Sequence, residues 1–446
     1  MIALDEAEEI TPWTETLPTG WRLCRLKSIA SIRYGLGQPP PGLESGVPMV
    51  RATDVDAGKI RTDKLLRIDP QELPRDRNPY LKAGEIIVVR SGAYTGDSAI
   101  VPLELEGAVA GYDMVITVTR ATPRFVAYCL LSQNVLEDQI HLQTLRAAQP
   151  HLNAEQLGSV VLTLPSTRQE QDCIAAYLDT SCAALDVAID AKRHQLKSLD
   201  ALRKSTITRA VTRGLNSNVQ FKSSGQNWLG EIPAHWSAPC LKRLLTKPLT
   251  YGLNEPAELE DRSLPRYLRI TDFDGDGTLR EDTFRSLPYE IARDAMLEPY
   301  DVLFARSGAT VGKTFMFRDY KGEACFAGYL ICARTIVRKL DPRFLYQFTK
   351  STAYEMWKSL IFTQATIQNI SAAKYNYLTV PLPPLPEQEE ICAFLEEKDA
   401  EFRTLFAQIE RQIEILVAYR KSLIYEYVTG RQRITEGKLS QVQMHA

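Results

Sequence analysis

Two arginines that end short apolar runs are the side chains best placed for chemistry in this chain. Arg90 ends the run 84–90 and Arg306 ends the run 301–306, and Ser-Gly-Ala follows each of them. A short apolar run between turn residues predicts a β-strand, so each arginine should leave a sheet edge together with loop amides. Arginine can bind a guanine edge through two hydrogen bonds, and serine or threonine hydroxyls can contact phosphate. These residue types favour nucleic-acid recognition, with an ordinary surface position as the alternative for either arginine.

The segment 308–314, Gly-Ala-Thr-Val-Gly-Lys-Thr, is close to a phosphate-binding loop. That motif needs four residues between its glycines; here there are three, and Ser307 stands where the first glycine belongs. A similar segment, 92–98, carries Asp97 where this one carries Lys313. We therefore predict a tight strand-loop-strand connection, or a loop whose amides and side chains contact DNA, rather than a nucleotide site.

Other motifs of catalysis or metal binding are incomplete. The segment 272–283 begins like a calcium loop, but its twelfth position is Thr283 instead of a bidentate glutamate, which favours a carboxylate-rich turn. The chain has no Asn-Pro-Pro-Tyr-type methylation tetrad, no glycine-rich cofactor loop after a strand and no residue order typical of a nucleophile. Five histidines without HxxxH spacing and eight cysteines without a CxxC pair argue against a zinc site and a disulfide framework. We predict no active site and no metal in this chain.

Composition indicates a globular protein of two to four domains. The 446 residues are 44% hydrophobic and 24% charged, which is ordinary for globular proteins. A net charge of −2 predicts no attraction to nucleic acid through bulk charge, but it does not exclude local basic patches. The acidic N-terminus and the lack of an apolar run of about 20 residues predict neither a secretory signal nor a membrane span. The scattered cysteines predict reduced thiols in a cytoplasm.

The segments that position the two arginines belong to a duplication. Seven landmarks of the first half recur in the same order 215 to 219 residues later, which indicates an internal repeat. The matched landmarks begin at Leu17 and Ile232, Arg51 and Arg269, Arg90 and Arg306, Gly111 and Gly328, Arg124 and Arg343, Glu170 and Glu387, and Arg203 and Arg420. These matches alone do not distinguish a repeat kept for function from one kept for fold. Including the repeated landmarks, we predict DNA contacts from Arg51, Thr53, Arg90, Ser91, Tyr94, Thr95, Arg269, Thr271, Arg306, Ser307, Thr310 and Lys313.

Each half combines a mixed part of about 150 residues with a long helix. The 46 residues from Arg168 to Arg213 contain neither glycine nor proline, and the same is true of the 43 residues from Glu387 to Thr429. Two long helices are therefore predicted, with a capping box between Ser166 and Gln169 at the start of the first. In the mixed parts, strands are predicted at 84–90, 115–118, 301–306 and 330–333, and helical composition at 125–142 and 344–361.

Apolar residues of the two helices recur with spacings of 4, 7, 4, 7 and 3, which is the pattern of a heptad seam. A helix of 46 residues would be about 69 Å long, so each seam needs a long partner and the other copy is the obvious one. Because a globular part separates the helices, an antiparallel pair is natural. The predicted seam positions are Ile174, Leu178, Leu185, Ile189, Leu196 and Leu199, with Ile391, Leu395, Phe402, Phe406, Ile413 and Leu416.

With this duplicated plan, the chain resembles the specificity (S) subunit of a type I restriction-modification system over nearly its whole length. The most specific stretch is 224–236, Ser-Gly-Gln-Asn-Trp-Leu-Gly-Glu-Ile-Pro-Ala-His-Trp, which resembles the opening of a target-recognition domain in that family. The segment 383–388 followed by Ile391 resembles the family's entry into its spacer helix, and 165–171 followed by Ile174 is a looser copy.

The resemblance implies two α/β (α+β) target-recognition domains that alternate with two long helices, paired as an antiparallel coiled coil with pseudo-twofold symmetry. Each domain would read one half of a bipartite, asymmetric DNA target. The helices would set the gap and dock two methyltransferase (M) subunits, and motor-nuclease (R) subunits would join this core. The family chain carries no catalysis, so S-adenosylmethionine, ATP and Mg²⁺ would act through the other subunits.

The expected boundaries are a first target-recognition domain at 1–165, a spacer helix at 166–214, a second domain at 215–385, and a second helix with its tail at 386–446. Two other functions stay open at this point. One is a non-catalytic coiled-coil scaffold with protein-binding terminal domains, and the other is an enzyme that uses the loop after Gly308. DNA binding that appears only with a methyltransferase partner would separate DNA recognition from both of these alternatives.

Overall fold

The computed structural model describes residues 17–38, 40–74, 78–144, 151–274, 277–362 and 369–434. The chain divides into two compact units. The first unit is Met1–Arg193 with Arg411–Ala446, and the second unit is His194–Glu410. Each long helix therefore contributes one part of its length to each unit. Among the residues that the structure describes, no helix is long and apolar enough to cross a membrane.

The first unit is a mixed α/β body around a four-stranded antiparallel sheet of order β2-β10-β7-β8. Its strands are β1 Trp21–Arg25, β2 Ala30–Tyr34, β3 Val47–Val50, β4 Val55–Asp56, β5 Lys59–Ile60, β6 Leu66–Ile68, β7 Ile86–Val88, β8 Ser98–Ile100, β9 Val109–Ala110, β10 Met114–Val118 and β11 Val161–Pro165. Its helices are α1 Pro123–Leu131, α2 Gln133–Val135, a π-helical turn Leu136–His141, α3 Leu142–Thr144, α4 Ala154–Ser159 and the first part of α5 Arg168–Arg213.

The second unit repeats this plan with a four-stranded antiparallel sheet of order β14-β19-β16-β17. Its strands are β12 Phe221–Ser223, β13 Glu231–Pro233, β14 Thr250–Tyr251, β15 Arg266–Leu268, β16 Val302–Ala305, β17 Thr314–Met316, β18 Ala324–Phe326 and β19 Leu330–Ala333. Its helices are α6 Tyr289–Ala292, α7 Pro342–Phe348, α8 Thr352–Phe362, α9 Ala372–Asn376 and the first part of α10 Leu385–Val428.

The two units share strand order and a parallel strand pair. The strands β3 and β9 pair in parallel in the first unit, and β15 and β18 pair in parallel in the second. The duplication read from the sequence is thus a duplication of fold, and the predicted class of mixed α/β units alternating with two long helices is confirmed.

The predicted central strands are buried on both faces, which explains their continuous apolar runs. Ile86 and Val88 of β7 join a core with α1 and the long helices, whereas Ile87 lies in a second core against β3 and β10. In the second unit Val302 and Leu303 of β16 separate in the same way. A strand that is buried on both faces has no alternation of polar and apolar residues. The sequence pattern therefore indicated the strand but not the two cores that cover its faces.

The helices predicted at 125–142 and 344–361 are each broken by a buried serine. Ser132 donates its hydroxyl to the carbonyl of Cys129 (2.5 Å) after α1. Ser351 donates its hydroxyl to the carbonyl of Phe348 (2.7 Å) between α7 and α8. A serine hydroxyl competes with backbone N–H groups for carbonyls, and both hydroxyls do so where the helix ends.

The long helices run close to the predicted bounds. The first is Arg168–Arg213, as predicted, and the second is Leu385–Val428, starting two residues earlier and ending one earlier than predicted. The capping box at Ser166 is wrong, because its hydroxyl donates to the carbonyl of Gly20 (2.6 Å). Thr167 accepts from the N–H of Glu170 instead (3.3 Å).

Within each unit the two long helices run antiparallel. In the first unit the rings of Tyr177 and Tyr427 lie 4.7 Å apart, and Arg420 pairs with Asp186 at 3.0 Å. Residues later in α5 therefore contact residues earlier in α10. Every predicted seam residue is buried or half-buried. A coiled-coil seam that continues along the whole length of both helices stays a prediction.

Candidate nucleic-acid interface

Each unit places one arginine after a central strand, against two tyrosine rings in the first unit and against one in the second. The guanidinium of Arg90 lies 3.5 Å from the ring centroid of Tyr112 and 5.0 Å from that of Tyr34. In the second unit the guanidinium of Arg306 lies 4.7 Å from the ring centroid of Tyr251. We name Tyr34, Arg90 and Tyr112 the first arginine–tyrosine cluster, and Tyr251, Arg306 and Tyr329 the second.

Equivalent hydrogen bonds hold the two clusters. The hydroxyl of Tyr34 accepts from the N–H of Ala154 at the start of α4 (2.9 Å), and the hydroxyl of Tyr251 accepts from the N–H of Ala372 at the start of α9 (2.9 Å). The carbonyls of the two arginines accept from the N–H groups of Leu152 and Ile370, at 2.8 and 2.9 Å. Three chain segments therefore fix each cluster before any ligand arrives.

A glycine directly after Tyr34 and another directly after Tyr251 allow the backbone there to approach a neighbouring chain segment closely. A Cβ on Gly35 would lie 2.3 Å from the carbonyl oxygen of Gly111, and one on Gly252 would lie 2.2 Å from that of Phe326. No side chain fits at such distances, so the backbones touch directly beside the clusters.

Both arginines keep unused donor capacity. Within the described residues, the buried Nε atoms of Arg90 and Arg306 have no hydrogen-bond partner. The four tyrosines of the clusters are 40–64% exposed. Aromatic faces hold an arginine fork in place by cation–π attraction without occupying its N–H groups. The arrangement can present a rigid guanidinium to a bidentate acceptor such as a base edge or two oxygens of a phosphate.

The two clusters differ at the residue after the tyrosine. Asp113 follows Tyr112, and its side chain is 1% exposed; Leu330 takes the equivalent place after Tyr329. Oδ1 of Asp113 accepts from the N–H of Arg90 (3.3 Å), while its Oδ2 has no partner among the described residues. Burial raises the pKa of Asp113 to about 6, against the attraction of Arg90. Sequence reasoning missed this carboxyl, although Gly-Tyr-Asp against Gly-Tyr-Leu was a readable difference.

The repeated Arg-x-Thr-Asp landmarks are engaged internally and lie beside the clusters. Arg51 donates to both carboxylate oxygens of Asp54 (3.1 and 3.2 Å), and Arg269 does the same to Asp272 (3.2 and 2.8 Å). The N–H of Gly111 donates to the carbonyl of Val50 (2.8 Å), which brings the first of these turns next to Tyr112. The prediction that these arginines contact DNA is untested, as it is for the exposed side chains of Thr53 and Thr271.

The loop residues after the arginines divide into outward and inward side chains. Tyr94 is exposed, and Ser91 is half-buried. Thr95 is buried and donates to the carbonyl of Gly92 (2.7 Å), so its hydroxyl holds the loop. In the second unit Ser307 and Thr310 are half-buried and Lys313 is exposed.

The segment that resembled a phosphate loop is a strand-turn-strand connection, as predicted. It forms one 3₁₀ turn at Gly308–Thr310, and β17 starts at Thr314. The motif requires a helix at this place. Part of the calcium-like segment, 275–276, lies outside the described residues. Within the described part of the chain, no group of three or more His, Cys, Asp or Glu side chains could hold a metal ion.

The most specific repeated landmarks fasten each globular part to its long helix. The indole N–H of Trp21 donates to Glu170 (3.1 Å), and that of Trp236 donates to Glu387 (3.0 Å). Gln171 and Gln388, the next residues, cross-link the same junctions by accepting from Thr122 and Asp341 N–H groups, each at 2.8 Å, and by donating to proline carbonyls. These repeated residues therefore stabilise the fold at the junctions and do not serve DNA recognition.

A family model described as type I restriction modification DNA specificity domain matches residues 18–197 and 292–415. The chain is 24% identical over 208 residues to the type I restriction enzyme StySPI specificity subunit of Salmonella potsdam, covering 45% of this chain and only 44% of that relative. It is 22% identical over 449 residues to the MjaVIII specificity subunit of Methanocaldococcus jannaschii, covering 94% of each chain.

A solved structure from work on complex assembly and conformational transition of the type I R-M system shares the fold, with a TM-score of 0.71 at 19% identity. It covers 93% of this chain and 98% of its own. Because the family model matches more than half of the residues, with one stretch in each half, the chain belongs to the family of type I restriction modification DNA specificity domains.

Proposed function

We propose that the chain is the DNA sequence-specificity subunit of a type I restriction-modification complex, in which each unit reads one half of a bipartite target. The observation that carries the proposal is the pair of arginine–tyrosine clusters. A corresponding arrangement follows the central strand of each unit: an arginine lies on a tyrosine ring, and its buried Nε has no hydrogen-bond partner among the described residues. Recognition of guanine by arginine needs a fork of this kind, held rigid before binding.

Differences around the clusters support an asymmetric target. Asp113 lies behind Arg90, where Leu330 lies in the second unit, and Asp97 stands where the second unit has Lys313. The first loop therefore presents less positive charge than the second loop. Two surfaces with different charge and the same scaffold would prefer different base sequences, so the two half-sites would not be identical.

In this proposal the long helices set the gap between half-sites and dock two methyltransferase (M) subunits, and motor-nuclease (R) subunits join that core. The chain carries no catalysis; S-adenosylmethionine, ATP and Mg²⁺ act through the other subunits, and the complex works in the cytoplasm. The domain boundaries at 165, 214 and 385 belong to the same proposal. The scaffold function is less favoured, since it gives no role to the Nε atoms of Arg90 and Arg306, which have no partner within the described residues.

The test uses the chain assembled with its cognate methyltransferase subunits. Arg306→Ala removes the fork, and Arg306→Lys keeps the charge without bidentate geometry. Arg293→Ala is the matched control, because Arg293 is an exposed arginine of the same unit outside the cluster. The readouts are DNA affinity against salt concentration and the genomic methylation pattern of cells that express each variant.

A base contact by Arg306 predicts a loss of about 1–3 kcal/mol in both variants and relaxed selection at one position of one half-site. A phosphate contact predicts that lysine rescues, that selection is unchanged and that the salt slope falls by about one unit in the alanine variant. Affinity, slope and methylation pattern equal to those of the Arg293→Ala control would exclude the second cluster from the interface.

A further inference from the structure

A basic cavity of about 350 Å³ lies in the second unit, between the last part of α5 and the globular part. We define it by the five cations on its wall, Arg203, Lys204, Lys313, Lys350 and Lys358. Among the described residues of that wall, three carry carboxylates, namely Asp200, Asp274 and Glu355.

Three of the five cations are in ion pairs. Lys204 pairs with Asp200 at 2.7 Å, Lys358 with Glu355 at 2.8 Å, and Arg203 with Asp399 at 2.5 Å. In the part of the chain that the structure describes, neither Lys313 nor Lys350 forms an ion pair. Among its described residues, the cavity wall thus carries more cations than carboxylates.

The ammonium group of Lys350 lies in a partly buried place, where a charge without a counterion is unfavourable. Its Nζ lies 4.1 Å from the ring centroid of Tyr346. Burial lowers the pKa of Lys350 to about 8, with repulsion from Arg203, Arg318 and Arg403 opposing the attraction of Asp399. A buried ammonium in this state gains from any anion that enters its site.

The loop 310–314 completes the wall with small and hydroxylated residues. Thr310 and Thr314 of this loop line the cavity, and the hydroxyl of Thr314 bonds that of Thr349 on the same wall (2.6 Å). Gly312 has a φ of +78°, a backbone conformation that favours glycine, and Cδ of Lys358 lies 2.2 Å from where a Cβ would stand. Lysines and threonine hydroxyls are groups that bind phosphate in proteins.

At the equivalent place in the first unit, every cation of the cavity wall is in an ion pair. A smaller cavity of about 200 Å³ is lined there by Lys59, Arg124 and Arg420. All three are paired: Lys59 and Arg420 with Asp186 at 2.6 and 3.0 Å, and Arg124 with Asp179 at 2.7 Å. Within the described residues, wall cations outside ion pairs are therefore a feature of the second-unit cavity and not of the first.

We propose that the basic cavity of the second unit binds a phosphate group, with Lys313 and Lys350 as its principal ligands. The phosphate comes either from a free phosphomonoester or from the DNA backbone. The site does not include Arg306, so its test is independent of the two arginine–tyrosine clusters.

The experiment measures binding of inorganic phosphate, adenosine monophosphate and a non-target DNA duplex to the full chain by calorimetry. Lys350→Met keeps the apolar stem over Tyr346 and removes the charge. Lys313→Asp copies the first unit, whose loop carries Asp97 at this place. Lys321→Ala, an exposed lysine of the same unit, is the matched control.

Charged hydrogen bonds to phosphate predict at least about a tenfold loss of affinity in each of the two variants and none in the control. If phosphate and adenosine monophosphate bind and lose affinity in this way, the ligand is a free phosphomonoester. If only the duplex binds and loses affinity, the ligand is a backbone phosphodiester. Equal affinities of both variants and the control, for all three probes, would overturn the proposal. Arg306→Ala should leave phosphate affinity unchanged, which separates this result from failure of the proposed function.

Discussion

Replacing Asp113 by asparagine should stabilise the first unit, and the gain should grow with pH. The carboxyl is 1% exposed and its Oδ2 has no partner within the described residues. Asparagine keeps an oxygen that can accept from the N–H of Arg90 and removes the buried charge. Leu330 shows that the same backbone needs no carboxyl at this position in the second unit.

The magnitude follows from the pKa of Asp113, which burial raises from 3.8 to about 6. A folded-state pKa above the unfolded one means that the folded chain binds the proton more tightly. The penalty of the ionised carboxylate is therefore absent below about pH 3.8 and complete above about pH 6. The gap between the two pKa values corresponds to a destabilisation of up to about 3 kcal/mol. About half of it is already present at about pH 5.

Urea unfolding of the full chain, followed by hydrogen exchange of the β7 and β10 amides, measures the free energy of unfolding of the first unit. Asp113→Asn should raise it by up to about 3 kcal/mol at about pH 8 and by about half as much at about pH 5. Asp63→Asn, which removes an exposed carboxylate, should change neither value. A variant equally stable to the wild type at both pH values, or less stable at the higher one, would refute the assignment of an uncompensated buried charge.

Three further changes test the junctions and the helices. Asp399→Asn leaves Arg203 without its carboxylate and should lower the free energy of unfolding of the second unit by about 2 kcal/mol; denaturant titration measures this, and no change would contradict a structural ion pair. Gly312→Ala should cost about 1–2 kcal/mol, because its φ of +78° and the contact with Lys358 disfavour a side chain; a rise in melting temperature would contradict it. Four residues inserted after Ala201 should lengthen α5 by about 6 Å and widen the methylated gap by about one or two base pairs; methylation mapping that finds the old gap would show that the helix does not set it.

The sequence by itself determined the features that depend on neighbouring residues. A run without glycine or proline and a heptad spacing define a helix locally, and α5 has the predicted bounds Arg168–Arg213. The repeat was readable because both copies keep the same order of landmarks. The strand ends at Arg90 and Arg306 were readable because a strand buried on both faces is a continuous apolar run.

The tertiary structure decided which residues surround those arginines. Tyr34 and Tyr112 reach Arg90 from β2 and from the loop before β10, and cation–π contact depends on strand order rather than sequence spacing. Asp113 acquires its raised pKa only because folding removes it from water. The same holds for Lys350, whose pKa burial lowers to about 8 and which forms no ion pair within the described residues. Periodicity encodes elements, but desolvation and pairing of charges arise from long-range contacts, so only the folded chain shows where its charges are uncompensated.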